Sequence, residues 1–304
     1  MVKIGIIGNI EQLGSNVEYF LTTKNVNISG AYCDGQGIEN IAGIQSFSDL
    51  NTLLELSDAI YILASEQDPY EISIQAFRNG KHVFLEQIST LSVDQIGQLL
   101  KSRKEANVKC MIGSKELCHP AFLAVSQQHL TPLFIESQRS LIFDKDNSKH
   151  IILDVMMKDI AVVLNIVKSD IKRIWANGHK IIGDQNDMAN ARLEFSNGCV
   201  AVLSVDTNSQ HSLSHLKIYE EHKITTIDFE LSQTSVLTRA ENDNSLLTAT
   251  LLPLEEADPL RYQLDNFRDS ILTDANPLLK LREGYEKLDI AHKILKKILS
   301  SGDE

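Results

Sequence analysis

The sequence predicts a two-domain α/β protein: an N-terminal domain on a parallel sheet, then a C-terminal α+β domain on a mostly antiparallel sheet. Three observations lead to this fold class. The chain has 304 residues, enough for two domains that each bury a core. Strand and helix patterns alternate strictly in its first part, and strand patterns cluster after Pro120. We place the domains at residues 1–118 and 119–304, and the final helices can pack back on the first domain.

Short apolar runs alternate with helical segments through the first domain. The runs contain β-branched residues and lack the period-2 pattern of a half-exposed sheet, which indicates parallel strands covered on both faces. Ligands of such sheets bind at the carboxyl ends of the strands. The predicted strands are Val2–Gly8, Ile28–Asp34, Ala59–Ser65, Lys81–Gln87 and Val108–Ser114, and the predicted helices are Ser15–Lys24, Asp49–Leu56, Pro69–Gly80 and Ser92–Ala106.

The second domain is predicted from a different pattern. A strand over PLFIESQRSLIF precedes a helical stripe over Asp154–Lys168, and strands dominate from Ile171 to Thr238. Asn197-Gly198 lies between two alternating segments, as in a β-hairpin. Apolar residues at helical spacing return from Leu260 to the end of the chain. Strands flanked by helices indicate an α+β domain.

Composition excludes several classes of protein. The formal net charge of −12 argues against a nucleic-acid partner, which needs clustered Lys and Arg. The four cysteines show no metal-binding spacing, and reduced thiols in the cytoplasm are the expectation. No apolar run reaches the roughly 18 residues of a membrane helix, and the N-terminus lacks a signal-peptide pattern. We therefore expect a cytoplasmic protein with a small-molecule substrate and no membrane partner.

The first strand-to-helix turn, GNIEQLGS, resembles a dinucleotide-binding turn only in part. Such a turn reads G-x-G-x-x-G, so that pyrophosphate can approach the backbone and the helix N-terminus. Gly8 and Asn9 fit this pattern, but Ile10 replaces the second glycine and Gly14 comes one residue late. A plain turn without a ligand explains the same residues.

Asp34 ends the second predicted strand, where a carboxylate accepts hydrogen bonds from the adenosine ribose. A carboxylate there favours NAD over NADP, because it repels a 2′-phosphate. The following Gly35-Gln36-Gly37 offers no cation for that phosphate. Asp34 as a turn former before Gly35 is the alternative.

Several segments in order resemble the Gfo/Idh/MocA family (glucose–fructose oxidoreductase, inositol dehydrogenase and rhizopine catabolism). AFRNGKHVFLEQ is similar to the family's A-x-x-x-G-K-H-V-x-x-E-K-P, and LDVMMKDIAVVL to L-D-x-G-x-H-x-x-D. KIGIIG, AYCD, IYILAS, VKCMIGS, LEFSNGCVAVL and DPLRYQLDNFRDSI extend the resemblance over nearly the whole chain. It implies a Rossmann domain, a nicotinamide cofactor, and a homodimer or tetramer formed through the exposed face of the second sheet.

The resemblance also assigns roles and reveals two departures. Glu86 matches the family's glutamate near the cofactor, but Gln87 and Ile88 replace the lysine and proline of Glu-Lys-Pro. A glutamine cannot transfer a proton. Asp154 matches the family's acid, and Lys158 replaces its histidine four residues on. Lys158 is either the substitute general base or the partner of Asp154 in an ordinary ion pair.

Two further residues follow the fifth predicted strand. Lys115 stands where relatives carry Asn or Gln, and His119 precedes Pro120; either lines the site or lies on the hinge surface. No histidine pair, His211 and His215 included, has convincing zinc-ligand spacing, so we expect no metal. The predicted catalytic residues are Lys158, Asp154, Gln87 and Lys115. The predicted cofactor-binding residues are Gly8, Asn9, Ile10, Gly14, Asp34, Ser65, Glu86 and Gln87.

Three functions are compatible with these residues. The first is an NAD(P)-dependent oxidoreductase that transfers a hydride at a carbinol carbon of a sugar, cyclitol or nucleotide-sugar. The second is a catalytically degenerate member that binds a nucleotide or sugar as a sensor or partner protein, which explains Ile10, Gln87 and Lys158 together. The third is redox chemistry on a conjugated or imine substrate that needs no base.

Overall fold

The chain forms two compact units. The first unit comprises Met1–Lys115 and Leu260–Glu286, and the second comprises Glu116–Pro259 and Lys287–Glu304. The computed structural model describes residues 1–8, 17–32, 43–63, 68–143, 150–240 and 243–301. The sequence-based boundary between residues 118 and 119 lies at the end of a short 3₁₀ turn, Glu116–Cys118.

The first unit contains a parallel sheet of six strands in the order β3-β2-β1-β4-β5-β6. Their bounds are β1 Val2–Ile7, β2 Val26–Tyr32, β3 Ser46–Phe47, β4 Ala59–Ile62, β5 His82–Leu85 and β6 Cys110–Ile112. The parallel sheet is confirmed, but the prediction of five strands is wrong by one. The missing strand, β3, has only two residues, too few to show a hydrophobic pattern.

Local sequence explains where the helices of this unit begin. Residues 17–22 are helical, followed by α1 Leu50–Leu56, α2 Pro69–Arg78 and α3 Val93–Ala106. Asp68 caps α2 through a hydrogen bond from the Tyr70 N–H, and Pro69 occupies the first turn. Ser92 and Gln95 cap α3 reciprocally.

The second unit contains an eight-stranded sheet in the order β14-β13-β12-β11-β7-β10-β9-β8. Among the described strand pairs of this second sheet, only β10–β7 is parallel, so the mostly antiparallel sheet is confirmed. The bounds are β7 Phe134–Ile142, β8 Ile171–His179, β9 Met188–Phe195, β10 Val200–Ser209, β11 Leu213–Glu220, β12 Lys223–Asp228, β13 Gln233–Ala240 and β14 Asp243–Leu251. The predicted hairpin turn is present, with Gly198 at φ +91°.

Helices α4 (Pro120–Ser126) and α5 (Met157–Ile166) belong to this unit. The helix predicted over Asp154–Lys168 starts earlier, as a π-helix over Ile151–Met156 that continues into α5. His150 explains the earlier start, because its Nδ1 accepts hydrogen bonds from the first N–H groups.

Two helices end the chain, α6 (Pro259–Leu272) and α7 (Leu281–Ser301). Residues of α7 through Glu286 belong to the first unit and later ones to the second. In the first unit, α6 contributes Leu260, Leu264 and Phe267 to the core cluster on the sheet. Tyr61 and Phe84 stack there at 4.5 Å between centroids, and Phe267 contacts Phe84 edge-on at 5.5 Å. This aromatic packing fixes β4 and β5 near their carboxyl ends.

Candidate functional site

The carboxyl ends of the parallel strands in the first unit form the first part of the candidate site. The strand order reverses direction between β1 and β4, because the chain continues from β1 to β2 and β3 before it returns to β4 beside β1. Such a switch point opens a crevice at the carboxyl ends of the strands. Gly8 directly follows β1 at this point.

Gly8 fits a turn that carries a dinucleotide. Its φ of +147° is one that L side chains rarely adopt, and a Cβ built on it would lie 2.6 Å from Cβ of Leu63. The Gly8 N–H donates to the Tyr32 carbonyl oxygen at 3.3 Å, which ties the turn to the end of β2. Bare backbone is therefore required where the switch point would receive pyrophosphate.

Five predicted cofactor-binding residues lie outside the described part of the chain: Asn9, Ile10, Gly14, Asp34 and Ser65. The partial glycine fingerprint and the ribose-binding carboxylate therefore remain predictions. Gly8, Glu86 and Gln87 are described, and all three follow the carboxyl ends of strands in the same sheet.

Glu86 follows β5, and its backbone continues the sheet: its N–H donates to the Ile62 carbonyl oxygen at 3.0 Å. The backbone of Gly113 approaches the backbone of Glu86 closely, since a Cβ on Gly113 would lie 2.6 Å from the Glu86 carbonyl oxygen. The Glu86 side chain is 13% exposed, and burial raises the pKa of its carboxyl. Lys115 opposes that rise, with Nζ 3.7 Å from Oε1. The predicted residues Glu86 and Lys115 are thus an ion pair at this edge.

Gln87 is exposed beside this pair, whereas Ile88, which replaces the family's proline, is buried. The exposed amide can donate to or accept from a ligand at the sheet edge. The buried side chain of Ile88 fixes the backbone next to Gln87 by packing. The structure therefore places Gln87, Glu86 and Lys115 in one area of the first unit.

Two residues that no sequence motif marked interact with the backbone or the charged side chains of this area. The Gln263 side chain, on α6, is buried, and its Oε1 accepts from the Ser114 N–H at 2.7 Å, directly before Lys115. The Tyr61 hydroxyl is buried without a hydrogen-bond partner, and burial, then the charge of Glu86, raises its pKa. Tyr61 could have been singled out from the sequence, because it places a hydroxyl inside an otherwise apolar strand. Gln263 gave no signal, since its partner is 149 residues away.

In the second unit, Asp154 and Lys158 do not pair with each other. The Asp154 carboxylate accepts a hydrogen bond from the His150 N–H at 2.8 Å, so it caps its own helix. Lys158 follows on α5, is half-exposed, and lies with Nζ 4.0 Å from Oε1 of Glu116. The simple Asp–Lys pair considered from the sequence is wrong, because each side chain has a different partner.

Glu116 also belongs to a buried charged group on β7 and α5. Arg139 binds the Asp159 carboxylate through Nε at 3.1 Å and through a terminal nitrogen at 2.7 Å. Another terminal nitrogen of Arg139 lies 3.6 Å from Glu116. Burial raises the pKa of Asp159, and Arg139 opposes this rise. We call Glu116, Arg139, Lys158 and Asp159 the charged cluster.

Lys287, on α7, adds a third cation near Glu116. Only 6% of its surface is exposed, and burial lowers the pKa of its ammonium to about 8, with Glu116 opposing the decrease. No local pattern marks Lys287, because it lies in a helix rich in surface lysines and its burial cannot be read from spacing.

The histidines considered from the sequence have structural partners. His119 caps α4, with Nδ1 accepting from the Ala121 N–H at 3.2 Å. His215, on β11, lies 2.6 Å from the Asp228 carboxylate on the neighbouring strand. Over the described residues, no group of three His, Cys, Asp or Glu side chains is arranged to hold a metal ion. Within the same residues, no helix is long and apolar enough to cross a membrane.

A six-stranded parallel sheet in this order, with a glycine closing the first turn, defines a dinucleotide-binding domain of the Rossmann class. Residues 2–114 match the family model GFO_IDH_MocA, described as an oxidoreductase family with an NAD-binding Rossmann fold. Residues 2–114 therefore match the Rossmann domain of the Gfo/Idh/MocA family, and the resemblance inferred from the sequence is confirmed.

Solved structures resemble the chain over nearly its whole length. UDP-N-acetylglucosamine 3-dehydrogenase GnnA from Acidithiobacillus ferrooxidans is 19% identical, with a TM-score of 0.89 and coverage of 98% of this chain and 97% of that one. Dehydrogenase MviM from Clostridium difficile is 17% identical, with a TM-score of 0.82 and coverage of 97% and 99%. A levoglucosan dehydrogenase in complex with NADH and L-sorbose is 15% identical, with a TM-score of 0.83 and coverage of 98% and 97%.

These identities show a shared fold. Comparison with curated protein sequences gives no match.

Proposed function

We propose that the protein is an NAD(P)-dependent oxidoreductase that transfers a hydride to or from the carbinol carbon of a sugar, cyclitol or nucleotide-sugar. The observation that carries this proposal is the match of residues 2–114 to an NAD-binding family, on a sheet with the dinucleotide-binding strand order. The solved structures of similar fold include a nucleotide-sugar dehydrogenase and a sugar dehydrogenase with bound NADH.

The proposed cofactor residues are those at the carboxyl ends of the first sheet. Gly8 with Asn9, Ile10 and Gly14 would hold the pyrophosphate. Asp34 would hold the ribose and favour NAD over NADP, and Ser65, Glu86 and Gln87 would line the rest of the cofactor site. The nicotinamide would supply the hydride acceptor or donor. The requirement for bare backbone at Gly8 supports this placement.

Lys115 provides a cation where the family's lysine is missing. It follows β6, which is the neighbour of β5 in the sheet, and Gln87 follows β5. The Lys115 side chain is 61% exposed despite the pairing with Glu86. We assign Gln87 a hydrogen bond to a substrate hydroxyl and Lys115 the stabilisation of negative charge on that oxygen. Lys158 takes the position of the family's histidine and is assigned contact with the substrate. Asp154 fixes the start of the helix that carries Lys158.

The degenerate alternative rests on specific residues. Gln87 cannot carry a proton, Ile10 departs from the glycine fingerprint, and Lys158 replaces a histidine. A protein with this site would bind a nucleotide or sugar without turnover and would act as a sensor or partner.

An assembly of two or four copies is part of the proposal. The open face of the second sheet carries exposed apolar side chains at Trp175, Met188 and Leu251. Such side chains suit contact with a second copy. Sedimentation equilibrium should give the mass of a dimer or tetramer, and the mass of one chain would exclude this assembly. A reduced cytoplasmic setting is likewise proposed from the cysteines, of which Cys110, Cys118 and Cys199 are free and buried.

Hydride transfer is the direct test of function. The protein is mixed with NAD⁺ or NADP⁺ and with panels of free sugars, cyclitols and UDP-sugars, and the absorbance of the reduced nicotinamide is recorded. Turnover with one panel, faster with NAD⁺, is expected. Cofactor binding without turnover on any panel, in either direction, would support the degenerate alternative. Absence of cofactor binding would contradict the oxidoreductase proposal.

A further inference from the structure

The amino edge of the first sheet, opposite the candidate site, carries a histidine that joins two strands. His82 is the first residue of β5, and Lys109 directly precedes the neighbouring strand β6. Nδ1 of His82 accepts a hydrogen bond from the Lys109 backbone N–H at 2.9 Å. In a regular parallel ladder this N–H would meet a backbone carbonyl, which does not titrate. Here the acceptor is an imidazole, whose charge changes near physiological pH.

Lys109 also joins this edge to the segment that connects α6 to α7. Its Nζ donates to the Asp274 carbonyl oxygen at 3.0 Å and lies 2.6 Å from the Asp274 carboxylate. The Lys109 side chain is 19% exposed, so the contact is shielded in part from water. One residue thus contacts His82 through its backbone and Asp274 through its side chain. We call His82, Lys109 and Asp274 the latch.

The charged groups that act on His82 come from three elements packed against it. Asp58, before β4, accepts from the His82 N–H through its carbonyl oxygen at 3.1 Å, and its carboxylate accepts from the Lys3 N–H at 2.9 Å. Asp58 and Asp274 favour a proton on the imidazole. Burial and the Lys109 ammonium oppose that proton and together lower the pKa of His82.

We propose that the latch opens in acid: a second proton on the His82 ring, at Nδ1, releases the Lys109 backbone N–H and loosens the amino end of β6. A protonated imidazole is a donor at both nitrogens, so Nδ1 would then face another donor. The charged ring would also lie near the Lys109 ammonium. The latch belongs wholly to the first unit, and its opening does not depend on nicotinamide chemistry.

The opening should be confined to the amino end of the two strands. The Lys109 carbonyl oxygen still accepts from the Val83 N–H at 3.0 Å, so the strand pair persists. At the carboxyl end, the Gly113 N–H donates to the Leu85 carbonyl oxygen at 2.7 Å. Both bonds join backbone groups that do not titrate. A local response to acid is therefore expected rather than the loss of the sheet.

The direction of the pH effect follows from the pKa of His82. In the folded protein this pKa lies below its ordinary value of 6.5, so the unfolded chain binds the proton more readily. The stabilising effect of the latch is therefore complete above about pH 6.5 and is lost as the pH falls below that value.

NMR of the whole isotope-labelled protein tests the latch without any ligand. At about pH 7.5 the His82 ring should carry its proton on Nε2, and its titration midpoint should lie below 6.5. Exchange of the Lys109 amide, corrected for its intrinsic pH dependence, should accelerate about tenfold or more with the same midpoint. The Gly113 amide should keep its protection. A proton on Nδ1 at about pH 7.5, or a Lys109 amide that ignores the titration of His82, would overturn the proposal.

Substitutions separate the hydrogen-bond acceptor from its titration. His82→Asn keeps a side-chain oxygen that can accept from the Lys109 N–H but binds no proton in this range. It should keep the Lys109 amide protected down to about pH 5.5, whereas His82→Leu should leave that amide unprotected at every pH. The control His129→Asn, at an exposed histidine, should behave as the wild-type protein does.

Urea unfolding gives the matching measurement of stability. The urea midpoint of the wild-type protein should fall relative to that of His82→Asn as the pH decreases from about 7 to about 5.5. Parallel pH profiles for these two proteins would contradict the latch. If His82→Asn does not fold, the ring titration and amide exchange of the wild-type protein still decide the question.

Discussion

The Arg139–Asp159 pair gives a sharp prediction about stability. Their side chains are 9% and 3% exposed, and three short nitrogen–oxygen contacts join them. Removing one partner leaves a charge that water cannot reach. We predict that Asp159→Asn and Arg139→Met each lower the free energy of unfolding by about 3 kcal/mol, the lower end of the range for a broken buried pair.

Two features of the structure place the predicted loss of stability at the lower end of the range for a broken buried ion pair. After Asp159→Asn, Arg139 retains Glu116 at 3.6 Å. After Arg139→Met, Asp159 can accept a proton, since burial already raises its pKa. The double variant should therefore cost less than the sum of the single variants, with a coupling energy of about 2 kcal/mol.

The assay is urea unfolding followed by tryptophan fluorescence. The chain has one tryptophan, Trp175, which lies on β8 in the same sheet as Arg139. The matched control is Lys293–Asp289, whose contact of 2.6 Å is as short but exposed. Lys293→Met should cost about 0.5 kcal/mol or less. Equal effects for the buried and exposed pairs, or strictly additive losses in the double variant, would refute the reasoning.

Three further predictions concern single side chains. Tyr61→Phe should stabilise the protein by about 1–2 kcal/mol in urea, because its buried hydroxyl lacks a partner; Tyr70→Phe, whose hydroxyl donates to Gln98, should not. Burial opposes ionisation of Asp187, but three backbone N–H donors outweigh it and lower its pKa to about 2. The free energy of unfolding of the wild-type protein should exceed that of Asp187→Asn by its full amount above about pH 4. This difference should be lost as the pH falls towards 2. Gly113→Ala should cost about 1–3 kcal/mol, since its Cβ would meet a backbone oxygen at 2.6 Å, whereas Gly97→Ala, with open space in α3, should be neutral or stabilising.

The elements with strong local signals were predictable from the sequence. Pro69 and Gly80 bracket α2, and the structure ends that helix at Arg78. The Asn197-Gly198 turn joins β9 to β10 as expected. These features depend on a few adjacent residues, so the sequence alone contains them. The short strand β3 and the π-helix at Ile151–Met156 depend instead on their surroundings.

The candidate site was predictable only where a motif marks it. Glu86 and Gln87 were predicted because they end an apolar strand, and the structure places them directly after the carboxyl end of β5. The partners of Glu116 were not found, because Arg139 and Lys287 come from distant parts of the chain. Charge clusters and burial arise from tertiary packing, which a pattern in a single segment does not encode.

The central claim is that the carboxyl edge of the first sheet binds a nicotinamide dinucleotide. Isothermal titration calorimetry of the whole protein with NADH tests it without a substrate, and Gly8→Val tests the position, since that side chain would fill the close approach to Leu63. We predict that one NADH binds per chain with a dissociation constant below about 1 mM, and that Gly8→Val abolishes this binding. No heat of binding for the folded wild-type protein with either NADH or NADPH at millimolar concentration would contradict it.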